Sequence, residues 1–431
     1  MIVHEPETIH DKGHTIVCSR IETTHKIDHF PEYLWYRVPD LYSQYLSTHG
    51  DAFLMPVLAA AMHFGEHIEV RGAVSPRLAY NLDEYQFLLN FYMPKDVRPI
   101  TIKYHKFSIP KVGPKGVACS FSGGVDSFFT LKNHLPGVQP ILDYQLTHAL
   151  FINGFDILNE DESKYHRLFS QYELLLRGMS IELLPLQTNG INFILPWLSH
   201  ARFFAPTLAG CGMVLCGVFK RFYIASSLDY YLLHIRSSSS GPLTDRLLST
   251  DTLDIVHYGA MSRRVEKVEA ISDWEPAQTH LRVCGTPGLK ARDLNCSRCE
   301  KCTRTMIPLY ALGKMGFFKT FSKPFKLHSD TVWWARKFDP RNDNFTHEVF
   351  PFVKKHQPGN LPWLYLAALL GTIRYWIIKI LPGFIKKWLM RYGYFVDKLK
   401  QENAFDDPEI LKLIDSFYAN WEKNPSDYSS T

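Results

Sequence analysis

The sequence predicts an α/β protein built on a doubly wound parallel sheet, and three observations carry that reading. Strand-like and helix-like runs alternate from residue 116 to 226. The first strand of that rhythm feeds a Ser-Gly-Gly turn. The stretch Pro110 to Gly116, with two prolines and two glycines, separates this region from a differently textured N-terminal part. Composition allows such a fold: 431 residues suffice for two or three domains, and 46% hydrophobic with 21% charged residues excludes a wholly disordered chain, a collagen or a polytopic membrane protein.

In chain order, residues 1–112 alternate short apolar and charged runs, as in His67-Ile68-Glu69-Val70-Arg71 and Ile100-Thr101-Ile102-Lys103-Tyr104. That is the pattern of half-buried strands, interrupted by a helix-like run from Ala52 to Phe64, and it reads as a small α+β accessory domain. Within residues 113–315, strands are expected at Gly116 to Phe121, Ala149 to Ile152, Ser180 to Leu186 and Arg221 to Ser226. Helices are expected at Asp126 to His134, Lys164 to Arg177 and His200 to Phe219. Ligands of such sheets sit at the carboxyl ends of the strands, so the turns after Phe121, Ile152, Leu186 and Ser226 are expected to converge on one site. Residues 316–431 read as a mostly helical extension.

The strand ending Ser120-Phe121 runs into Ser122-Gly123-Gly124-Val125-Asp126-Ser127 and then an apolar helix. Paired glycines let a backbone approach a ligand, consecutive N–H groups at a helix start favour anions, and Ser122 and Ser127 add hydroxyls. Asp126 is unexpected in a phosphate cradle, because a carboxylate repels phosphate unless a cation lies between them, which points to Mg²⁺. An ordinary N-cap and tight turn is the bland alternative. The hexapeptide resembles the SGGxDS loop of the N-type ATP pyrophosphatases (PP-loop enzymes, with an adenine nucleotide alpha hydrolase-like HUP fold), which adenylate a substrate oxygen and release pyrophosphate. The Gly-Lys-Ser/Thr of a Walker loop is absent here.

Cys296, Cys299 and Cys302 form two successive C-x2-C steps, and Cys284 lies eleven intervening residues upstream. This spacing suits a tetrahedral Zn²⁺ knuckle, with a [4Fe–4S] cluster as its rival. The loop and the cysteines together resemble 7-cyano-7-deazaguanine synthase over roughly residues 116 to 310. That resemblance implies ATP-dependent activation of a carboxylate or amide on a small, deazaguanine-like acceptor, nitrogen attack, and structural zinc at Cys284, Cys296, Cys299 and Cys302. It departs from the family at Ser297, where a glycine is usual, and in its long flanking regions. The departure suggests a diverged branch, of the kind found in bacterial antiviral defence or specialised biosynthesis. A nucleobase- or tRNA-thiolating enzyme, which would need a cysteine among Cys18, Cys119, Cys211 and Cys216, and a silent nucleotide-binding scaffold are the alternatives.

Basic groups are expected beside the loop to offset charge on pyrophosphate. Arg264 and Lys267, three apart on a helix beginning in Ser262 to Val268, are the candidates, although a solvated helix face explains the same residues. The expected catalytic set is Asp126, Ser127, Arg264 and Lys267. The expected nucleotide contacts are Ser120 through Ser127, with Asn153 and Gly154 after the second strand. Asp156 reads as a ribose ligand or a helix cap, Ser237 to Gly241 as a substrate lid or plain loop, and Cys211 and Cys216 as core thiols.

The first 20 residues hold no apolar secretory run, and eight cysteines then fit a reducing, cytoplasmic compartment. Leu361 to Ile373 runs without charge but is too short to span a bilayer, Arg374 and Lys379 interrupt its continuation, and Pro382-Gly383 breaks the helix. A packed helical cap, a protein-partner surface and a peripheral membrane contact are the readings of 361–391. Arg374, Lys379, Lys386, Lys387 and Arg391, with no acid among them, account for the chain's whole net charge of +5. The rest is neutral, which argues against nucleic acid as partner; a homodimer stays open.

Overall fold

A computed structural model describes residues 1–110, 116–235, 238–284, 294–323, 325 and 348–380. The expected linker residues 111–115, Ser237, and Pro382, Gly383, Lys386, Lys387 and Arg391 lie outside the described residues. The chain forms two compact units, Met1–Arg282 and Val283–Thr431.

The first unit opens with β1 (Ile2–Val3), β2 (Glu7–Asp11), β3 (His14–Glu22), β4 (Tyr33–Pro39), α1 (Gly50–Phe64), β5 (Ile68–Val74), α2 (Pro76–Tyr92) and β6 (Ile102–Phe107). It continues through β7 (Gly116–Ser120), α3 (Val125–Asn133), β8 (His148–Asn153), α4 (Glu162–Arg177), β9 (Glu182–Thr188), α5 (His200–Met213) and β10 (Phe219–Ala225). α6 (Tyr230–Ile235), β11 (Asp254–Tyr258), α7 (Arg264–Ile271) and α8 (Glu275–His280) complete it. The strands make one mixed sheet in the order β11-β10-β7-β8-β9-β4-β3-β1-β5-β6, with β2 on β3.

From β11 to β9 every pairing is parallel. Counting β7 as first, this block runs 3-2-1-4-5, the doubly wound order whose switch point lies between the first and fourth strands, β7 and β10. Its two faces separate by alternation. Ala118, Leu150, Leu184, Phe222 and Ile224 join a core with α1 and α5. On the opposite face, Phe151 stacks on Tyr165 and meets Tyr172, both from α4, and Phe121 meets Phe128 of α3. Helices thus cover both faces, as near-continuous apolar strands require.

Residues 1–112 do not stand apart as a compact unit. β4 pairs antiparallel with β9 through Tyr36↔Thr188 and Arg37↔Gln187, and Tyr36 Oη donates to Ala52 O of α1 at 2.7 Å. α1 is buried from Gly50 to Met62 and packs on α5, so one core serves the whole unit. α5 also ends earlier than its apolar run, at Met213, because the chain must turn before β10; Gly217 fits there against the Tyr45 backbone, where a Cβ would lie 2.9 Å from Tyr45 O.

The second unit contains α9 (Glu300–Ala311), α10 (Phe350–His356), which packs on α9, and α11 (Leu361–Ile380). α11 continues past Arg374, and within its described residues much of the apolar side is exposed. Leu364 and Ala367 are buried, whereas Tyr365, Leu369, Ile373, Trp376, Ile377 and Ile380 are exposed. Among the described residues no helix is long and apolar enough to cross a membrane.

Candidate functional site

The Ser-Gly-Gly turn leaves β7 at the sheet's switch point and delivers the chain into α3. Its two glycines have different reasons to be there. Gly123 has φ +76°, and a Cβ on it would fall 2.0 Å from Tyr172 Oη, so both backbone and packing demand glycine. Gly124, the N-cap of α3, has an ordinary φ of −82°, and a Cβ there would meet only Ser122 Oγ at 3.3 Å and Arg282 O at 3.8 Å. Gly124 is thus crowded only by the Ser122 hydroxyl, and it stands at the first turn of a helix whose N–H groups lack intrahelical partners. Ser122 is exposed and its Oγ accepts from Gly124 N at 3.4 Å, while Ser127 is buried and donates to Gly124 O at 3.0 Å. The side chains of Phe121 and Val125 are buried, so any contact of theirs with a ligand is through backbone.

Asp126, Arg264 and Lys267 converge, although 138 and 141 residues separate them in the chain. Arg264 Nη1 lies 2.8 Å from Asp126 Oδ2, and Lys267 Nζ lies 3.1 Å from Oδ1. Lys267 Nζ also donates to Ser226 O at the end of β10, across the switch point. α7 brings this about: three residues of separation aim both basic side chains at α3, and Lys267 is only 1% exposed, so this is no solvated helix face. One carboxylate against two cations and a helix N-terminus leaves a positive potential at the turn, suited to an anion. The charge conflict that called for Mg²⁺ at Asp126 is relieved here by the protein's own cations.

Sequence reasoning named Ser226 and the loop holding Ser240 but missed His257 and the network that joins them behind Lys267. His257 Nε2 lies 2.8 Å from Ser226 Oγ, and its Nδ1 lies 2.7 Å from Asp245 Oδ2, which also accepts from Ser240 Oγ at 2.9 Å. All four residues are far apart in sequence or look like ordinary loop polars, and only the ends of β10 and β11 assemble them. Ser238, Ser239 and Ser240 are buried, Ser240 within this network and Ser239 against α5, where its Oγ accepts from Ala205 N at 3.3 Å, so these three residues form neither a lid nor a plain surface loop. Arg282 was also missed: in the sequence it is a single arginine with no motif around it.

After β8, Asn153 is fully buried with Oδ1 accepting from Gly154 N at 3.1 Å, and its Nδ2 has no partner among the described residues. Gly154 (φ +100°) is explained by packing: a Cβ would lie 2.0 Å from Thr188 O of the neighbouring strand. Asp156 is exposed and caps nothing; α4 is capped by Asp161, which accepts from Lys164 N at 3.4 Å. Cys211 and Cys216 are buried, as expected.

In the second unit the Sγ atoms of Cys284, Cys296, Cys299 and Cys302 lie within 4.8 Å of one another, a cluster that can hold a metal ion such as zinc. The pairs Cys284–Cys299 and Cys296–Cys302 are 3.7 and 3.8 Å apart. A tetrahedron with ~2.3 Å zinc–sulfur bonds has an edge of about 3.8 Å, so the spacing suits one ion, whereas a cubane needs its four thiolates spread around a larger core. Cys299 N and Cys302 N donate to Cys296 Sγ and Cys299 Sγ at 3.2 and 3.4 Å, the turn that two C-x2-C steps produce. Ser297 sits at φ +58°, a left-handed conformation that glycine would adopt at lower cost. Buried Asn295, unforeseen from sequence, accepts from Val283 N and Cys284 N at 2.8 and 3.2 Å and ties the distant cysteine to the knuckle.

A separate cleft of about 530 Å³ opens at the amino ends of β8 and β9, lined by Tyr42, His148, Glu173, Arg177 and Glu182 among others. Arg177 pairs with Glu173 at 2.6 Å and His148 with Glu182 at 3.6 Å, and the cleft lies at the opposite end of the strands from the turn. No protein-family profile, curated protein or solved structure matches this chain.

Proposed function

We propose that the protein is an ATP-dependent enzyme that adenylates a carboxylate or amide oxygen of a small heterocyclic acceptor, after which a nitrogen nucleophile attacks the activated carbon. The observation that carries this reading is the convergence of Arg264 and Lys267 on Asp126 beside the Ser-Gly-Gly turn of a 3-2-1-4-5 parallel sheet. In the proposed step the acceptor oxygen bonds to the α-phosphorus, the bond to the bridging oxygen breaks, and pyrophosphate leaves with its electron pair. The amides of Gly124 to Ser127 and the Ser122 hydroxyl hold the departing phosphates, and Arg264 and Lys267 offset their charge. Nitrogen attack at carbon then expels AMP. Asp126 would be the residue to hold Mg²⁺, which would supply charge neutralisation beyond that of Arg264 and Lys267. Zinc at the four cysteines has a structural role.

Thiolation is the weaker reading, because it needs a reactive thiolate. Burial pushes Cys119 up to about 12 and, with Glu7 adding repulsion, Cys18 to about 11; burial also raises Cys216 to about 11. The exposed apolar side of α11 favours a contact with a protein or membrane surface, a separate proposal from the chemistry.

Asp126→Asn is expected to reduce acceptor-dependent pyrophosphate release by about 10²-fold or more. It also lowers the melting temperature, since Lys267 stays buried with a weaker partner. Unchanged pyrophosphate release in a folded variant rejects the reading. ATP binding with no turnover over a broad acceptor panel assigns the chain instead as a silent scaffold.

A further inference from the structure

We infer that Arg282 is a phosphate-binding residue of the turn, holding the pyrophosphate portion of a nucleoside triphosphate; this rests on the nucleotide reading above. Two observations place it there. Arg282 N donates to Gly123 O at 2.7 Å, fixing the residue against the turn, and Tyr172 Oη, the atom beside Gly123, donates at 3.3 Å to His280 O in the same segment. The residue is only 7% exposed, yet its Nε and Nη1 are buried without a hydrogen-bond partner, and it forms no ion pair among the described residues. The guanidinium lies near enough to Tyr172 to oppose the burial that pushes this phenol up to about 12.

A buried cation is costly unless an anion meets it, and proteins normally pair every buried guanidinium. Arg264 and Lys267 already have Asp126; among the described residues Arg282 has no carboxylate. A guanidinium fork matches two phosphate oxygens, and the Arg282 backbone ties this residue to the turn whose helix N–H groups would hold the same anion. Arg282 therefore supplies the uncompensated charge that a polyanion neutralises, while Arg264 and Lys267 shape the rim through Asp126.

The test is calorimetric titration of the full-length, metal-loaded protein with inorganic pyrophosphate, ATP and adenosine, with melting curves for wild type, Arg282→Gln and Arg282→Lys. The expected result is a loss of about tenfold or more in pyrophosphate and ATP affinity for Arg282→Gln, partial recovery in Arg282→Lys, and unchanged adenosine binding. Without ligand, Arg282→Gln should melt no lower than wild type, and pyrophosphate should raise the melting point of wild type more than that of the variant. Equal pyrophosphate affinity in wild type and Arg282→Gln overturns this assignment and leaves the nucleotide reading standing. A variant that melts lower yet gains the same stabilisation from pyrophosphate makes Arg282 structural and overturns it equally. A wild type that binds neither ATP nor pyrophosphate overturns both.

Discussion

Gly123 and Gly124 are neighbours of one residue type with different constraints. Gly123→Ala places a methyl 2.0 Å from Tyr172 Oη at a left-handed φ, and should cost about 2–5 kcal/mol in urea unfolding. Gly124→Ala meets nothing closer than 3.3 Å at an ordinary φ and should stay within about 1 kcal/mol of wild type. Its methyl crowds the Ser122 hydroxyl and the turn amides, however, so ATP affinity by calorimetry should fall about tenfold. An alanine at 124 that binds ATP as wild type does would show that this part of the turn is not used. The strand, turn and helix around the hexapeptide were legible, and Asp126 stood out as the odd member of the turn. The reason Asp126 is tolerated was not legible, because its two cations come from a helix that only folding brings alongside. Arg282 shows the same limit: nothing in its local sequence marks a buried charge that lacks an ion-pair partner among the described residues.

At the scale of elements, the buried strands β7 to β10 and the helices between them were readable because each is a short apolar run bounded by turn residues. β11 was not foreseen, since Asp254–Tyr258 alternates weakly and gains its place only by pairing with β10. α3 carries a testable feature at its end. His134 is buried, its Nδ1 lies 2.8 Å from Thr130 O, and its ring centroid is 4.2 Å from those of Tyr223 and Tyr258. Burial lowers its pKa below 6.5, against a hydrogen bond to Thr130 that raises it. The folded state therefore favours the neutral ring: its stability contribution is complete above the unfolded value near 6.5 and is lost as pH falls toward the lowered folded value. His148 and His280, also lowered mainly by burial, act in the same direction. Urea unfolding at pH 7.5 and 5.5 should show His134→Gln losing less stability than wild type, by up to about 1.4 kcal/mol per pH unit. Equal losses would remove the assignment.

For the whole molecule, the division into Met1–Arg282 and Val283–Thr431 predicts two calorimetric transitions, with the four thiolates confined to the second unit. A chelator should lower one transition and leave the other in place, with about one zinc released per chain by elemental analysis. No released metal, or no shift in either transition, would leave the four cysteines without the proposed role. The sequence by itself determined the local chemistry: the turn after the first parallel strand, the spacing of four cysteines, and the alternation of strands and helices, because these depend on residues within a few turns of one another. The tertiary structure alone decided how residues 1–112 are used, joining them to the parallel block through β4 and β9 instead of leaving an accessory domain. It also decided that Lys267 and Arg282 are buried beside the turn, that Asp245 and His257 stand behind Ser226, and that α11 leaves much of its apolar side exposed. Burial and charge pairing are properties of what packs against a side chain, and those neighbours lie more than a hundred residues away in the chain for the Asp126 cluster and the Arg282–Gly123 contact that define this site.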